Sequence, residues 1–312
     1  MLSVNGQRAR TLPYLRLLGA QVAIAAAAIF ARYALSGAGP LAVSTLRLGV
    51  AALVALAIAG PFVRLSRRRE AAFALAGIAL AVHFGTWIGS LEYTSVAAST
   101  LLVTTTPLWT ELFDVVRERR PPSQAFLASL GLALAGVALL VTAQPAVPAP
   151  MPGRAVLGDA LALAGSLAIG AYLLIVRDAG RNPTAAGAAG KARLGTRQVI
   201  ARTYGWSTLA LALAATFARQ PPPALGDAPA WGGILAMALV SQMLGHTALN
   251  AALHDFSPST ISLTTLLEPV FAALLAAALF HETLTLPAVG GGVLVLAAVA
   301  LTLRDARVAS RA

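Results

Sequence analysis

Residues Thr260–Phe280 read TISLTTLLEPVFAALLAAALF, a stretch of 21 residues in which Glu268 is the one charged side chain. At about 1.5 Å per residue, a helix of this length reaches roughly 30 Å, the thickness of the hydrocarbon core of a bilayer. Such a stretch must be helical in lipid, because a helix satisfies its backbone hydrogen bonds internally. The stretch therefore predicts a transmembrane helix with a carboxylate near its middle.

The same pattern recurs along the whole chain. Hydrophobic residues make up 58% of the sequence and charged residues 11%, whereas soluble domains are about half apolar and about a quarter charged. So much apolar surface needs a bilayer around it, and we predict an all-α integral membrane protein with ten transmembrane helices. The predicted helices are Tyr14–Ser36, Pro40–Phe62, Ala71–Leu91, Ser95–Val116, Gln124–Thr142, Leu157–Val176, Val199–Ala218, Ala230–Leu253, Thr260–Phe280 and Leu286–Leu303.

The basic residues predict the orientation. Apart from Arg32 and Arg47, which lie within helices, nineteen arginines and lysines lie in loops or near helix ends on the side of the N-terminus, and two, Arg154 and Arg219, lie on the other side. Positive loops stay in the cytoplasm, so both termini are predicted to be cytoplasmic in a multi-pass protein of the cell (inner) membrane. The net charge of +11 is spread over these short breaks, and this placement argues against nucleic acid as a partner.

Several function classes are excluded by missing residues. The sequence has no cysteine, which excludes disulfides, thiolate metal sites and cysteine nucleophiles. The segment His281–Thr285 begins like a zinc-binding helix, but Thr285 stands where the second histidine is needed. We find neither a nucleotide-binding P-loop nor a serine nucleophile elbow. The sequence therefore predicts no cofactor, no metal and no enzymatic activity.

An internal repeat is visible. The segment His83–Pro107 is echoed by His246–Pro269, each with a histidine, a serine and a proline at nearly equal spacing. We predict two five-helix repeats, residues 1–150 and 151–312, and an odd number of helices means that the second repeat is inverted. Inverted repeats are typical of secondary transporters, with the substrate site between them. The alternative is a duplicated membrane scaffold or sensor that transports nothing.

Three segments resemble the EamA-type transporters of the drug/metabolite transporter superfamily. LLEPVFAALL at Leu266–Leu275, followed by FHETL at Phe280–Leu284, is similar to the ninth helix and the turn after it. PLAVSTLRLG at Pro40–Gly49 resembles the start of the second helix of that family, including its arginine. GDALAL at Gly158–Leu163 is similar to part of the sixth helix of that family. The resemblance implies two copies of a five-helix unit around a central cavity. It also implies transport of small metabolites such as amino acids, sugars or drug-like compounds, with export as the expected direction.

Charged and aromatic residues inside the first predicted repeat are candidate ligands. Arg47 lies about two turns inside its helix, where a charge is costly. It is predicted to bind an anionic group of the substrate or a carboxylate partner, the alternative being that it snorkels to the lipid headgroups. His83 and Trp87 are four residues apart and share a helix face. A histidine can titrate near neutral pH, and a tryptophan can stack on a flat or cationic ligand.

The second predicted repeat supplies matching candidates. His246 and Asn250 share a face of the eighth helix, which the repeat equates with the third. Glu268 is near the middle of the ninth helix, where a carboxylate is expensive unless it is neutral, paired or wetted. It is therefore a candidate proton carrier, and the alternative is a lock with Arg47 or a histidine that only holds helices together.

Two prolines predict helix breaks near these residues. Pro107 and Pro269 each remove one backbone hydrogen bond, which would leave the carbonyls of Val103 and Thr265 free to bind a ligand or to let the helix bend. The resulting prediction is a substrate cavity lined by Arg47, His83, Trp87, His246, Asn250 and Glu268. The predicted partners are a small-molecule substrate and the lipid bilayer, with protons as a candidate coupling ion and a second copy of the chain as a candidate homodimer partner.

Overall fold

Helices make up all the regular structure that is described. The computed structural model describes residues 4–119, 121–143, 153–181, 194–281 and 283–309, and no strand occurs in these ranges. The helices are α1 (Val4–Ala25), α2 (Ala27–Ala34), α3 (Pro40–Ala59), α4 (Arg67–Ser90), α5 (Val96–Val103), α6 (Thr106–Glu118), α7 (Gln124–Thr142), α8 (Ala155–Arg181), α9 (Thr196–Phe217), α10 (Ala228–Ala236), a π-helical segment (Met237–His246), α11 (Thr247–Ala252), α12 (Pro258–Thr265), α13 (Glu268–Phe280) and α14 (Leu286–Ala309). The predicted all-α class is confirmed. The predicted boundary between the halves, at residue 150, lies outside the described residues.

Eight helical stretches in the described part of the chain are long and apolar enough to cross a membrane. They are Leu12–Ala34, Pro40–Ala59, Arg67–Ser90, Gln124–Thr142, Ala155–Gly180, Ala228–Ala252, Pro258–Leu279 and Leu286–Arg304. The other two predicted spans, Ser95–Val116 and Val199–Ala218, are helical as α5 with α6 and as α9, but they are not among the eight. Both carry several polar residues, among them Asp114 and Arg202. Ten membrane-crossing helices therefore remain a prediction.

The outside of the bundle is apolar and its inside is partly polar. Leu53 on α3 is 69% exposed and Leu213 on α9 is 54% exposed, whereas Gln21, Arg47 and Gln242 are each 0% exposed. A soluble protein places such leucines inside and such polar side chains outside. The inverted distribution is the one that lipid favours as the surrounding solvent.

The first and second parts of the chain interleave. Helix α4 packs against α8 and α9, α3 against α9, α7 against α14, and α1 against the π-helical segment. Each of these pairs joins an element before residue 150 to one after it. The interior therefore forms between the two predicted halves, and a cavity there takes its walls from both.

Two broken helices have the same construction. Helices α5 and α12 have 8 residues each, and α6 and α13, which follow them, have 13 residues each. A serine caps each of the shorter helices, because the side chains of Ser95 and Ser257 accept hydrogen bonds from backbone N–H groups of the first turn. Pro107 and Pro269 occupy the first turn of α6 and α13, where a proline costs no intrahelical bond. The helix breaks predicted from these prolines are confirmed.

One detail of that prediction is wrong. The hydroxyl of Thr106 donates a hydrogen bond of 2.9 Å to the carbonyl oxygen of Val103. The carbonyl that Pro107 releases is therefore not left free for a ligand, because a threonine side chain reaches back to it across the break.

Candidate functional site

A cavity of about 50 Å³ lies inside the bundle, between both broken helices, α3, α4, α8 and the π-helical segment with α11. All six residues predicted to bind substrate line it: Arg47, His83, Trp87, His246, Asn250 and Glu268. Thr104 and Thr265, at the ends of α5 and α12, place the two helix breaks at the same cavity. The space holds only a few water molecules, so this conformation is closed to a metabolite. Binding by these residues stays a prediction.

Arg47 is completely buried and only partly satisfied. Its Nη2 donates a 2.8 Å hydrogen bond to Oε1 of Gln242, and the guanidinium carbon lies 4.1 Å from the ring centroid of Phe84. Its Nε and Nη1 have no hydrogen-bond partner among the described residues. The predicted alternative of snorkelling does not apply to this conformation, because the side chain has no exposed surface.

His83 is fixed by a backbone contact and an aromatic neighbour. Its Nδ1 lies 2.9 Å from the carbonyl oxygen of Gly165 on α8, so Nδ1 carries the proton in this contact. The imidazole is nearly parallel to the indole of Trp87, with 6.1 Å between the ring centroids and 7° between the planes. The predicted pairing of these two side chains on one helix face is confirmed, and it forms an aromatic wall.

Asn250 and His246 belong to a hydrogen-bonded group on the opposite side. Asn250 accepts a 2.7 Å hydrogen bond from the hydroxyl of Tyr172 and donates a 2.9 Å bond to the carbonyl oxygen of His246. The ring of His246 meets that of Phe84 edge-on, at 5.2 Å between centroids. Because both functional ends of its amide are engaged, Asn250 shapes the wall of the cavity in this conformation.

Sequence reasoning missed the segment that presents Gln242 and His246. The predicted regular helix over residues 230–253 contains a π-helical stretch, Met237–His246, and such stretches are frequent at functional sites. Gln242 was not among the predicted site residues, although it is the hydrogen-bond partner of Arg47. Phe84 and Tyr172 also line the cavity, and neither carries a sequence signal that separates it from ordinary packing residues.

Glu268 is the first residue of α13 and is half-buried at the cavity. A carboxylate at this place interacts favourably with the unpaired N–H groups of a helix N-terminus. Within the described part of the chain its side chain forms no hydrogen bond and no ion pair. The predicted lock between Glu268 and Arg47, or between Glu268 and a histidine, is thus not made in this conformation.

An ionic cluster joins three helix ends away from the cavity. Arg177 on α8 contacts Asp114 on α6 at 3.0 Å, and Ser259 on α12 donates a 3.4 Å hydrogen bond to the same carboxylate. Arg117 pairs with Asp178 beside them. Asp114 is thus paired with a residue of another helix, although Arg117 lies only three residues away on its own helix.

These observations define a multi-pass α-helical membrane protein with an internal cavity that is lined by both apolar and polar side chains. The chain belongs to the EamA-like transporter family, whose family model matches residues 11–142 and 156–304, and the predicted resemblance is confirmed. One solved crystal structure shares the fold, with a TM-score of 0.76 at 15% identity over 95% of this chain and 98% of that one. No curated protein matches the sequence.

Proposed function

We propose that the protein is a secondary transporter that exports small metabolites by alternating access. The observation that carries the proposal is the cavity itself, where charged, polar and aromatic side chains from both halves meet at two matched helix breaks. Buried ionisable groups are costly in a membrane protein and mark solute pathways by default. Secondary transporters bind their solutes at such an interface between repeats.

The proposal includes ten membrane-crossing helices in two inverted five-helix halves, residues 1–150 and 151–312. The equal lengths of α5 with α6 and of α12 with α13 support it. The packing of the two halves is also matched. Helix α4 contacts α8 of the other half, and the π-helical segment, which belongs to the helix that the repeat equates with α4, contacts α1 of the other half. In this arrangement both termini are cytoplasmic in the inner membrane. The cysteine-free chain allows that topology to be tested by labelling single introduced cysteines from either side.

The small size of the cavity supports alternating access. A space of about 50 Å³ cannot admit a metabolite, so one side of the bundle must open first. The breaks before Pro107 and Pro269 are the places where the helices can bend, because their backbone bonding is already interrupted. In the proposed topology the cluster of Asp114 and Arg177 lies at the cytoplasmic end and separates when that side opens.

The first test is counterflow in proteoliposomes. Vesicles loaded with a pool of unlabelled amino acids, sugars and organic cations are offered the labelled compounds one at a time. We expect one class of compound to accumulate to a higher level than in protein-free vesicles. In Glu268→Gln the initial rate of this uptake should fall about tenfold or more, because the variant loses a charged hydrogen-bond partner for the solute. Glu92→Gln is the control, because Glu92 does not line the cavity, and it should transport normally.

If folded protein accumulates nothing from a wide pool, the transporter proposal fails, and a membrane scaffold or sensor becomes the better reading. A Glu268→Gln variant that transports as fast as Glu92→Gln would remove Glu268 from the mechanism.

Proton coupling through Glu268 is part of the proposal. We expect an imposed pH gradient to drive accumulation in the wild type, and the residual flux of Glu268→Gln to be the same with and without that gradient. The measurement is solute uptake with and without a pH step, over a series of external pH values. Full gradient-driven flux in Glu268→Gln at every pH would show that another group carries the proton, or that none does.

A further inference from the structure

Arg47 is a buried cation whose counter-ion is missing from its surroundings. The side chain is 0% exposed, and no carboxylate in the described ranges forms an ion pair with it. Glu268 lines the same cavity but makes no contact of that kind. Leaving a charge buried and unpaired is strongly unfavourable, so the residue is built for a partner that this conformation does not hold.

The unpaired side-chain atoms of Arg47 and of its partner Gln242 are all hydrogen-bond donors. The side-chain carbonyl oxygen of Gln242 accepts a hydrogen bond from Nη2 of Arg47. The amide nitrogen, Nε2, is therefore the group of Gln242 that is left to bind a ligand. That Nε2, together with Nε and Nη1 of Arg47, is buried without a hydrogen-bond partner among the described residues. Buried donors without acceptors are rare and call for an explanation. A set made only of donors, carrying one positive charge, is complementary to an anion.

The shape of the set favours a carboxylate. A guanidinium presents parallel N–H groups that match the two oxygens of a carboxylate, and the pair is stronger than one between neutral groups. The ring of Phe84 makes a cation–π contact with Arg47, at 4.1 Å from the guanidinium carbon. This contact fixes the orientation of the guanidinium plane. The present cavity of about 50 Å³ accepts a group of a few atoms, and the rest of a solute enters only when the bundle opens.

We infer that the solute carries a carboxylate group, and that Arg47 and Gln242 bind this group in the cavity. The inference rests on the proposed transport function for its physiological meaning, but the site itself is testable by binding alone. A chloride ion could bind to the same donors, and the experiment distinguishes a carboxylate from chloride.

The test compares acids with their amides on purified wild-type protein in detergent, in a chloride-free gluconate buffer. Acetate with acetamide and benzoate with benzamide are pairs of nearly equal shape that differ in charge. Binding is measured as the shift in melting temperature over a concentration series. We expect each acid to bind about tenfold or more tightly than its amide, since charge-assisted hydrogen bonds are the difference. Equal binding of acid and amide overturns the inference, and so does stabilisation by chloride that no acid reproduces.

Gln242→Glu is the decisive variant, because it supplies the missing carboxylate from the chain. It replaces the amide with a group of the same size, 2.8 Å from Nη2 of Arg47 in the wild type. We expect it to melt at a higher temperature than the wild type and to lose the preference for acids over amides. Gln21→Glu is the matched control. Gln21 is equally buried but bonds Thr264, so its variant should melt lower and keep the preference for acids. Arg47→Gln should also lose the preference if it folds.

A Gln242→Glu protein that folds and still prefers acids contradicts the inference. The outcome is independent of the transport assay. Counterflow of solutes without a carboxylate would leave the transporter proposal standing and this inference wrong. Selective acid binding without any counterflow would support this inference and contradict the transporter proposal.

Discussion

The Gly291→Ala variant is expected to lose stability sharply, although alanine is the better helix former. Helices α7 and α14 cross so closely that a Cβ on Gly291 would lie 2.5 Å from the carbonyl oxygen of Gly136 and 2.6 Å from the backbone nitrogen of Leu140. Backbone atoms cannot rotate away as a side chain can, so the two helices must separate. Overpacking of this kind costs about 1–3 kcal/mol or more, against a gain of about 1 kcal/mol in helix propensity.

The measurement is the melting temperature of the purified protein in detergent, with the yield of monodisperse protein as a second readout. Gly136→Ala should behave in the same way, because its Cβ would lie 2.7 Å from the carbonyl oxygen of Gly291. Gly290→Ala is the matched control on the same helix, since its Cβ would have Leu139 as its nearest neighbour, at 4.0 Å. We expect this control to melt at the wild-type temperature or above it. Equal melting of the Gly290 and Gly291 variants would show that the crossing is looser than described.

Asp114→Asn should weaken the closed conformation on the cytoplasmic side. The side chains of Arg177 and Asp114 are 8% and 16% exposed and 3.0 Å apart. Arg177 also contacts Asp178 at 3.1 Å, so the loss of Asp114 costs less than the about 3–5 kcal/mol that breaking an isolated buried pair costs. Because the pair joins α6 to α8, and Ser259 of α12 bonds the same carboxylate, we expect this end of the bundle to open more often. The thermal stability should fall as well.

The opening of the cavity can be measured by labelling a single introduced cysteine, because the sequence contains no other cysteine. Thr104→Cys places a thiol at the cavity, and a membrane-impermeant maleimide reports its access from each side of oriented vesicles. We expect Asp114→Asn to raise the labelling rate from the cytoplasmic side severalfold. Arg117→Gln is the control, because the pair of Arg117 and Asp178 is 58% and 40% exposed and such exposed pairs contribute little. Identical labelling in both variants would remove the gate role of Asp114.

The sequence was a good guide to the fold because the bilayer imposes simple constraints on a chain. The run of apolar residues around Glu268 had to be helical to satisfy its backbone in lipid, and the prolines Pro107 and Pro269 had to interrupt their helices. Five of the six site residues were predicted by one rule, that a polar or charged group inside an apolar helix must face the interior, and Trp87 was added because it shares a helix face with His83. The structure places all six on one cavity.

The same rule could not supply the partners of these residues. No sequence pattern indicated the pair of Asp114 on α6 with Arg177 on α8. The sequence offered Arg47 or a histidine as the partner of Glu268, whereas Arg47 bonds Gln242. Partners of this kind come from helices far apart in the chain, and their choice depends on crossing geometry that no periodicity contains.

What the sequence by itself determined is therefore the all-helical class, the breaks at the two prolines and the set of residues that cannot face lipid, because each follows from the cost of one group in hydrocarbon. The tertiary structure alone decided the π-helical turn that carries Gln242, the closure of the cavity to about 50 Å³ and the unpaired donors of Arg47. These depend on how closely helices approach at positions such as Gly136 and Gly291. That distance is set by many side chains acting together.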